Sequence, residues 1–568
     1  MNKSSSLFLL FVFLLCSQPL TLPASFLLLQ QGTSLTSMGP RSFQAPIQAG
    51  DVRFGRNVDV IDGSSPYPEQ VEPTLTVLST GRILIGWKEA NTATGPGLRV
   101  GFCYTNDEGQ SFSPNILMEP LAVGGHQSDP WLVSDHLDNA YFAFLEYNFG
   151  EGMGVAKSID GGVTWQSPTQ ASDTEGYLDD KETVCVDGAG NIYMMWDHFY
   201  TSDNAHLVFT KSTNGGASFQ ATQVLGEWED RGGIPYITCT PNGTLYASTW
   251  DSFPSAPDAI YITKSTDYGT SWSSPHQVNI WGYEDIALIT VCATDSNHDV
   301  YICFAAGTST NREVYVTKST DGGTSWSTPV QVNEETNGMQ RMVEMYIDDD
   351  DTIHVAWLDA QNNEWDIYYS YSDDGGVSFS SNVRITSEGF PLSFSRPGDY
   401  FTLRDGPTGK LYIVWTDGRK ETDQDIFFAK QDVAAPEITH DPPTSASHNT
   451  PFTIAAMVTD DDYIDRVELT YQYGEEPDQI VQMLEVPNDI YLYTIPASHM
   501  TGNSIAYWFT AYDEAGRTTR LPGTISGKFA VPINPVSPMM TIVIVASIIV
   551  IVIVLVFAIW YLRHPVSQ

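Results

Sequence analysis

The sequence predicts an all-β fold: a seven-bladed β-propeller, then a small β-sandwich, then one transmembrane helix. Three observations carry this. A turn motif recurs six times at a nearly constant spacing. A triplet of short apolar strands recurs seven times around it. One unbroken apolar run near the C-terminus is long enough to cross a bilayer.

The elements follow in chain order. Residues 1–30 read as a secretory signal, with Lys3 and three serines before the apolar core Leu7–Leu15. The apolar patch Phe26–Leu29 blurs the cleavage site and leaves an uncleaved N-terminal anchor as the alternative. Residues 51–433 hold the repeat. Its motif is Ser-x-Asp-x-Gly-x-Ser/Thr-Trp/Phe, found at Thr105–Phe112, Ser158–Trp165, Ser212–Phe219, Ser265–Trp272, Ser319–Trp326 and Ser372–Phe379. The acidic position is Asp107, Asp160, Asn214, Asp267, Asp321 and Asp374, with gaps of 53, 54, 53, 54 and 53 residues. One structural unit is therefore repeated. Asp accepts hydrogen bonds from its own loop, Gly supplies a positive φ, and the aromatic residue buries beside the turn.

Each unit carries three strands before the motif and a short one after it. The fourth shows Ile234–Cys239, Leu245–Trp250 and Ala259–Lys264. A seventh triplet, Tyr400–Leu403, Lys410–Trp415 and Asp425–Lys430, has no motif after it. Asn57-Val58-Asp59-Val60 matches Asn382-Val383-Arg384-Ile385, the strand after the last motif. The N-terminal strand is thus expected to complete the seventh blade and remove an open sheet edge.

Residues 434–532 alternate in short strands. The run Tyr507–Gly516 resembles the penultimate strand of Ig-like or fibronectin-III-like modules. A spacer is its plain role. Residues 539–562 are almost entirely Ile, Val, Ala, Leu and Phe, with Trp560, Tyr561 and then Arg563 at the end. This pattern predicts a single-pass cell-membrane protein with a short cytoplasmic tail at 563–568 and the bulk of the chain outside.

The repeated motif resembles the Asp-box, or BNR repeat, of sialidases and related propellers. In that family the turn joins the third and fourth strands of a blade, on the face away from the active site. The resemblance makes the six boxes scaffold and points to the opposite face for chemistry. Sialidases clamp a substrate carboxylate with three arginines and use a Tyr activated by a Glu, with an Asp as acid/base. Arg231, Arg341 and Arg396 each precede a first strand. Guanidinium groups can hold a carboxylate bidentately, or each can simply pair with a neighbouring acid. The catalytic set implied is Tyr346 with Glu344, and Asp129 as acid; Tyr400 beside Asp399 offers a second pair. Glu72, Asp180, Glu182 and Asp285 belong to the same rim. The Phe/Tyr-Arg-Ile-Pro motif of sialidases is absent from the N-terminal repeat, and seven units stand where sialidases have six blades.

Composition narrows the partners. With 69 acidic against 27 basic residues the net charge is −42, which repels a phosphate backbone and excludes nucleic acid as a partner. The carboxylates serve solubility, or some hold structural calcium; no other cofactor is expected. Asp348–Asp351 reads as a solvated hairpin turn. Apart from Cys16, five cysteines remain, and Cys185, Cys239 and Cys292 recur at matched positions as buried thiols. A Cys292–Cys303 bridge is the alternative. Two functions stay open: a propeller that binds an extracellular glycan or glycoprotein, and an exo-sialidase-type hydrolase. A structural envelope protein is third.

Overall fold

A computed structural model describes residues 52–534, apart from 93–94, 149–151, 173–177, 200–204, 229–233, 252–258, 279–288, 309, 337, 395–397, 421–422 and 524–526. The chain divides into two compact units, Met1–Pro46 and Ile47–Gln568, and every described element lies in the second.

Among the described residues, seven antiparallel sheets of four main strands succeed one another, termed blades here. Blade 1 comprises Glu69–Val77, Ile83–Ala90, Gly97–Thr105 and Ile116–Leu117. The first strands of blades 2 to 7 are His126–Ser134, Leu178–Val186, Tyr236–Cys239, Thr290–Thr294, Gln340–Ile347 and Thr402–Asp405. Each first strand packs beside the next, and that of blade 7 packs beside that of blade 1, which closes a propeller ring. Blade 7 takes its outer strand from the N-terminal side: Val58 pairs with Phe428 and Asp59 with Phe427. Arg53–Phe54 continues the same edge opposite Gln431 and Asp432.

The second strands of blades 1, 6 and 7 are buried along their whole length because blades cover both of their faces. Trp87, Trp196, Trp357 and Trp415 sit at the fifth position of these strands and are fully buried. A buried indole N–H needs an acceptor. Trp87 finds Glu89 at 2.8 Å, Trp357 finds Asp359 at 3.0 Å and Trp415 finds Asp417 at 2.9 Å, each acid two residues on. Trp196 instead uses Asp179 at 2.9 Å.

The boxes follow the third strands. In the first, Asp107 accepts from the Thr105 hydroxyl (2.7 Å), the Ser111 N–H (2.9 Å) and the Ser111 hydroxyl (2.6 Å). Asp160, Asp267, Asp321 and Asp374 repeat the pattern. Asn214 keeps it by accepting from Ser212 and Ser218 and donating its amide to the Ser218 hydroxyl. The box aromatic packs on the preceding blade: Trp165 on Phe102 and Trp272 on Phe209.

After Asp432, two sheets face each other across a separate apolar core that includes Ile454, Val467, Tyr471, Tyr507 and Phe509. The hairpin at 348–352 is a turn, with Asp348 accepting from the Asp350 and Thr352 N–H groups. Cys103, Cys185, Cys239, Cys292 and Cys303 are all free thiols, and Cys292 pairs in register with Ile302 rather than Cys303.

The expected architecture requires one correction. Among the described residues there is no α-helix, only a 3-10 turn at Ala497–His499, and no helix is long and apolar enough to cross a membrane. The transmembrane helix expected at 539–562, and the single-pass cell-membrane localisation built on it, therefore have no support in the structure. Apolar length with Trp560, Tyr561 and Arg563 at its end suggested them, and residues 535–568 lie outside the described residues, as does the signal expected at 1–30.

Candidate functional site

Strand direction assigns the two faces. Third strands run toward the boxes, and first strands run parallel to them. The beginnings of the first strands therefore surround the channel mouth on the face opposite the boxes.

A β-bulge interrupts the first strand of blades 1, 2, 3 and 6, between Val71/Thr74, Ser128/Trp131, Asp180/Thr183 and Arg341/Glu344. Its pivot residue adopts a left-handed backbone: Glu72 (φ 57°), Asp129 (50°), Lys181 (60°) and Met342 (52°). Such values are uncommon outside glycine and accompany functional constraint. Pro73 and Pro130 follow the first two pivots and supply no N–H to the ladder there. Bulges re-aim side chains. Here they gather groups from separate blades: Lys181 of blade 3 bridges Asp129 of blade 2 and Asp399, which precedes blade 7. Beside them Lys88 pairs with Glu72 at 2.9 Å.

The cluster is buried and acid-rich. Among the described residues Glu72, Asp129, Asp180, Glu182 and Asp399 face only Lys88 and Lys181. Oε2 of Glu72 and both carboxylate oxygens of Glu182 are shielded from solvent without a hydrogen bond. Burial and the neighbouring Asp129 push the Glu182 carboxyl well up. Burial, with repulsion from Asp129, Asp399 and Glu72, pushes Asp180 up to about 7 against the pull of Lys181. Asp129 goes the other way: burial opposes its charge, but Lys181 and Lys88 hold its carboxyl below the usual range. Glu72, Asp129 and Asp399 are close enough to share a metal ion, yet the Lys181 ammonium is the cation that links two of them. Half-buried Tyr147 stands at the rim, and Tyr400 donates to the Pro130 carbonyl at 2.9 Å with its ring 5.6 Å from Trp131.

The expected site residues separate into distinct places. Asp129 is at the mouth. Glu344 and Tyr346 lie further along the first strand of blade 6, with other partners. Glu344 is ion-paired to Arg404, and Tyr346 donates to Asp405 at 2.7 Å under the Arg404 guanidinium. Tyr346, Arg404 and Asp405 line a cavity of about 690 Å³ on the box side of the channel, together with Cys185, Cys239 and Cys292. The Arg341 guanidinium lies 4.5 Å over the Trp365 ring. Arg231, Arg396 and Asp285 lie outside the described residues. Asp107, Asp160, Asn214, Asp267, Asp321 and Asp374 sit in the turns described above. Sequence reasoning missed Lys88, Lys181 and Arg404. The available signal was the matched position of Glu72-Pro73, Asp129-Pro130 and Lys181-Glu182 in successive repeats.

No protein-family model matches the chain, and no curated protein matches it. Solved structures do resemble it at low identity. A protein of unknown function from Dyadobacter fermentans is 12% identical, with 68% of this chain and 100% of that one covered at a TM-score of 0.44. An ulvan lyase is 11% identical over 67% of this chain and 96% of its own, with a TM-score of 0.44. An α-L-arabinanase of Penicillium chrysogenum is 12% identical over 66% and 98%, with a TM-score of 0.41.

Proposed function

We propose that the channel mouth opposite the boxes recognises a neutral, polyhydroxylated ligand of the carbohydrate class. The observation that carries this is the set of shielded carboxylate oxygens on Glu72 and Glu182 that lack hydrogen bonds. Buried polar atoms of this kind cost free energy until a donor reaches them. Sugar hydroxyls are neutral donors of suitable size, and Tyr147 offers a ring at the rim for a sugar face. A neutral sugar is favoured over an acidic one because an anion would meet the Asp129 carboxylate, which Lys181 and Lys88 hold ionised. The resemblance of the boxes to those of sialidases agrees with a glycan ligand.

A second reading, hydrolysis, is favoured by one observation. Asp180 titrates near neutrality while Asp129 is held ionised, and two carboxyls pushed apart in this way suit acid and base roles. Binding of the full-length protein to immobilised neutral polysaccharides and to sialylated glycans tests the first reading, with Glu182→Gln alongside. Binding to neutral glycans, weakened about tenfold in the variant, is expected; a buried polar group left without its partner costs about 1–3 kcal/mol. Preference for sialylated glycans, or binding indifferent to Glu182, overturns it. Release of reducing sugar that Asp180→Asn abolishes would select hydrolysis.

A further inference from the structure

We propose that Cys185 and Cys239 form a dithiol pair that a small uncharged or cationic disulfide oxidises to a bond between blades 3 and 4. In the first strand of blade 3, Thr183 turns its side chain toward blade 4. Its hydroxyl donates to the Pro235 carbonyl at 3.1 Å and accepts from the Ile237 N–H at 3.2 Å. Alternate residues of a strand share a face, so Cys185, two residues on, faces blade 4 as well. Ile237, in the first strand of blade 4, packs in one cluster with Tyr193 and Phe209 of blade 3. Cys239, two residues on from Ile237, therefore faces blade 3. Both cysteines pack against this same cluster, and the Cys185 thiol is within hydrogen-bonding reach of Cys239. Cys292 of blade 5 donates instead to the Tyr236 carbonyl at 3.3 Å.

An oxidant can reach the pair. Both cysteines are half-buried, and both line the cavity of about 690 Å³ on the box side of the channel. Among the described residues Asp295, Asp348, Asp349, Asp351 and Asp405 line it with one cation, Arg404, which is itself paired with Glu344. Lys318 reaches Asp295 from outside and leaves the excess of acid in place. That excess repels an anionic oxidant such as oxidised glutathione and admits an uncharged or cationic one. Burial, with Cys239 beside it, pushes the Cys185 thiol well up, so Cys185 keeps its proton and Cys239 reacts first. The Cys239 thiolate attacks one sulfur of the external disulfide, forming a mixed disulfide. The thiolate that leaves takes up the proton that Cys239 released. The Cys185 sulfur then attacks Cys239 Sγ, and its proton passes to the second leaving thiolate. Two protein thiols are thus oxidised by two electrons, and the external disulfide is reduced to two thiols. Blades 3 and 4 are separate sheets, so the bond ties them where only packing and the Thr183 contacts join them.

The experiment incubates the full-length protein with hydroxyethyl disulfide or with oxidised glutathione at about pH 8, where thiols begin to ionise. Remaining thiols are then blocked, and the product is read by peptide mass spectrometry and thermal unfolding. The expected product is a peptide pair joined through Cys185 and Cys239 that dithiothreitol separates, with Tm raised by about 2–8 °C. Hydroxyethyl disulfide should form it at least about five times faster than oxidised glutathione. Cys185→Ser should stop at a mixed disulfide on Cys239, and Cys239→Ser should leave Cys185 a free thiol. Recovery of both cysteines of the parent chain as blocked thiols or as separate adducts overturns the proposal. So does a bond from either one to Cys292 or Cys303. Equal rates with the two oxidants overturn the route through the cavity, and a bond that lowers Tm overturns the tie between blades. The parent chain decides each of these, so a serine variant that fails to fold leaves the test intact. Glycan binding at the mouth is not read in this experiment, so the two proposals fail independently.

Discussion

The ring of Phe112, in the box of blade 1, packs edge-on against Phe428 of blade 7, with centroids 5.8 Å apart and planes at 79°. This is the box-to-preceding-blade contact of Trp165 and Trp272, used here across the seam of the ring. Gly109 of the same box has φ +88°, and a Cβ there would lie 2.3 Å from the Phe428 ring. Phe428→Ala should therefore cost about 3–5 kcal/mol in urea unfolding, and Gly109→Ala about 1–3 kcal/mol. A cost below about 1 kcal/mol for Phe428→Ala would show that the seam is held by the strand pairing alone.

Lys181 should be the most sensitive position at the channel mouth. Its ammonium joins two nearly buried carboxylates, and removing one partner of such a set leaves uncompensated charge. Lys181→Met is expected to lose about 3–5 kcal/mol, and Asp129→Asn added to it should recover part of the loss. Additive losses in this double-mutant cycle would argue against the bridge.

The pH dependence at the mouth has an unusual sign. Asp180 is raised from an ordinary value near 3.8 to about 7, so the folded state binds its proton more tightly than the unfolded chain. Its contribution to stability is full below about 3.8 and is lost as pH rises through about 7. Thermal stability should therefore increase as pH falls from 8 to 5, and Asp180→Asn should flatten that rise. A wild-type profile already flat over this window would contradict the assignment.

The boxes titrate in the opposite sense. Hydrogen bonds from Ser271 and Ser325 hold Asp267 and Asp321 down at about 2. Their contribution is present above about 3.8 and lost as pH falls through about 2. Carboxyl carbon shifts measured by NMR during acid titration would report these values. Because Asn214 already occupies one box, Asp321→Asn should lower Tm less than Asp321→Ala does.

The repeat was legible because its turn chemistry is local: the Asp, Gly and Ser of each box satisfy one another within five residues. The closing strand was legible from its likeness to the strand after the sixth box, and Val58 does pair with Phe428. The indole acceptors of Trp87, Trp357 and Trp415 follow a Trp-x-acid pattern that was present in the sequence but not used. The mouth was harder to read. Its rim acids, Glu72 and Glu182 among them, were visible, but the bulges that turn them inward depend on pairing with the second strand. Lys181 looked like any surface lysine. Tyr346 and Glu344 are close in sequence to each other, but Arg404 and Asp405 of the next blade claim them, and that register is set across the ring. The membrane helix expected at 539–562 rested on apolar length and its flanking Trp560, Tyr561 and Arg563, a segment outside the described residues, among which no helix is long and apolar enough to cross a membrane.

The pairing of Val58 with Phe428 also sets a schedule for biogenesis. These partners are 370 positions apart, so the strand that leaves the ribosome early has no mate until nearly the whole ring has been translated. At about 5–20 residues per second that interval is about 20–75 s. Through it, the nascent blades stack without their final clasp, and the growing chain presents two raw ends to chaperones and to other chains.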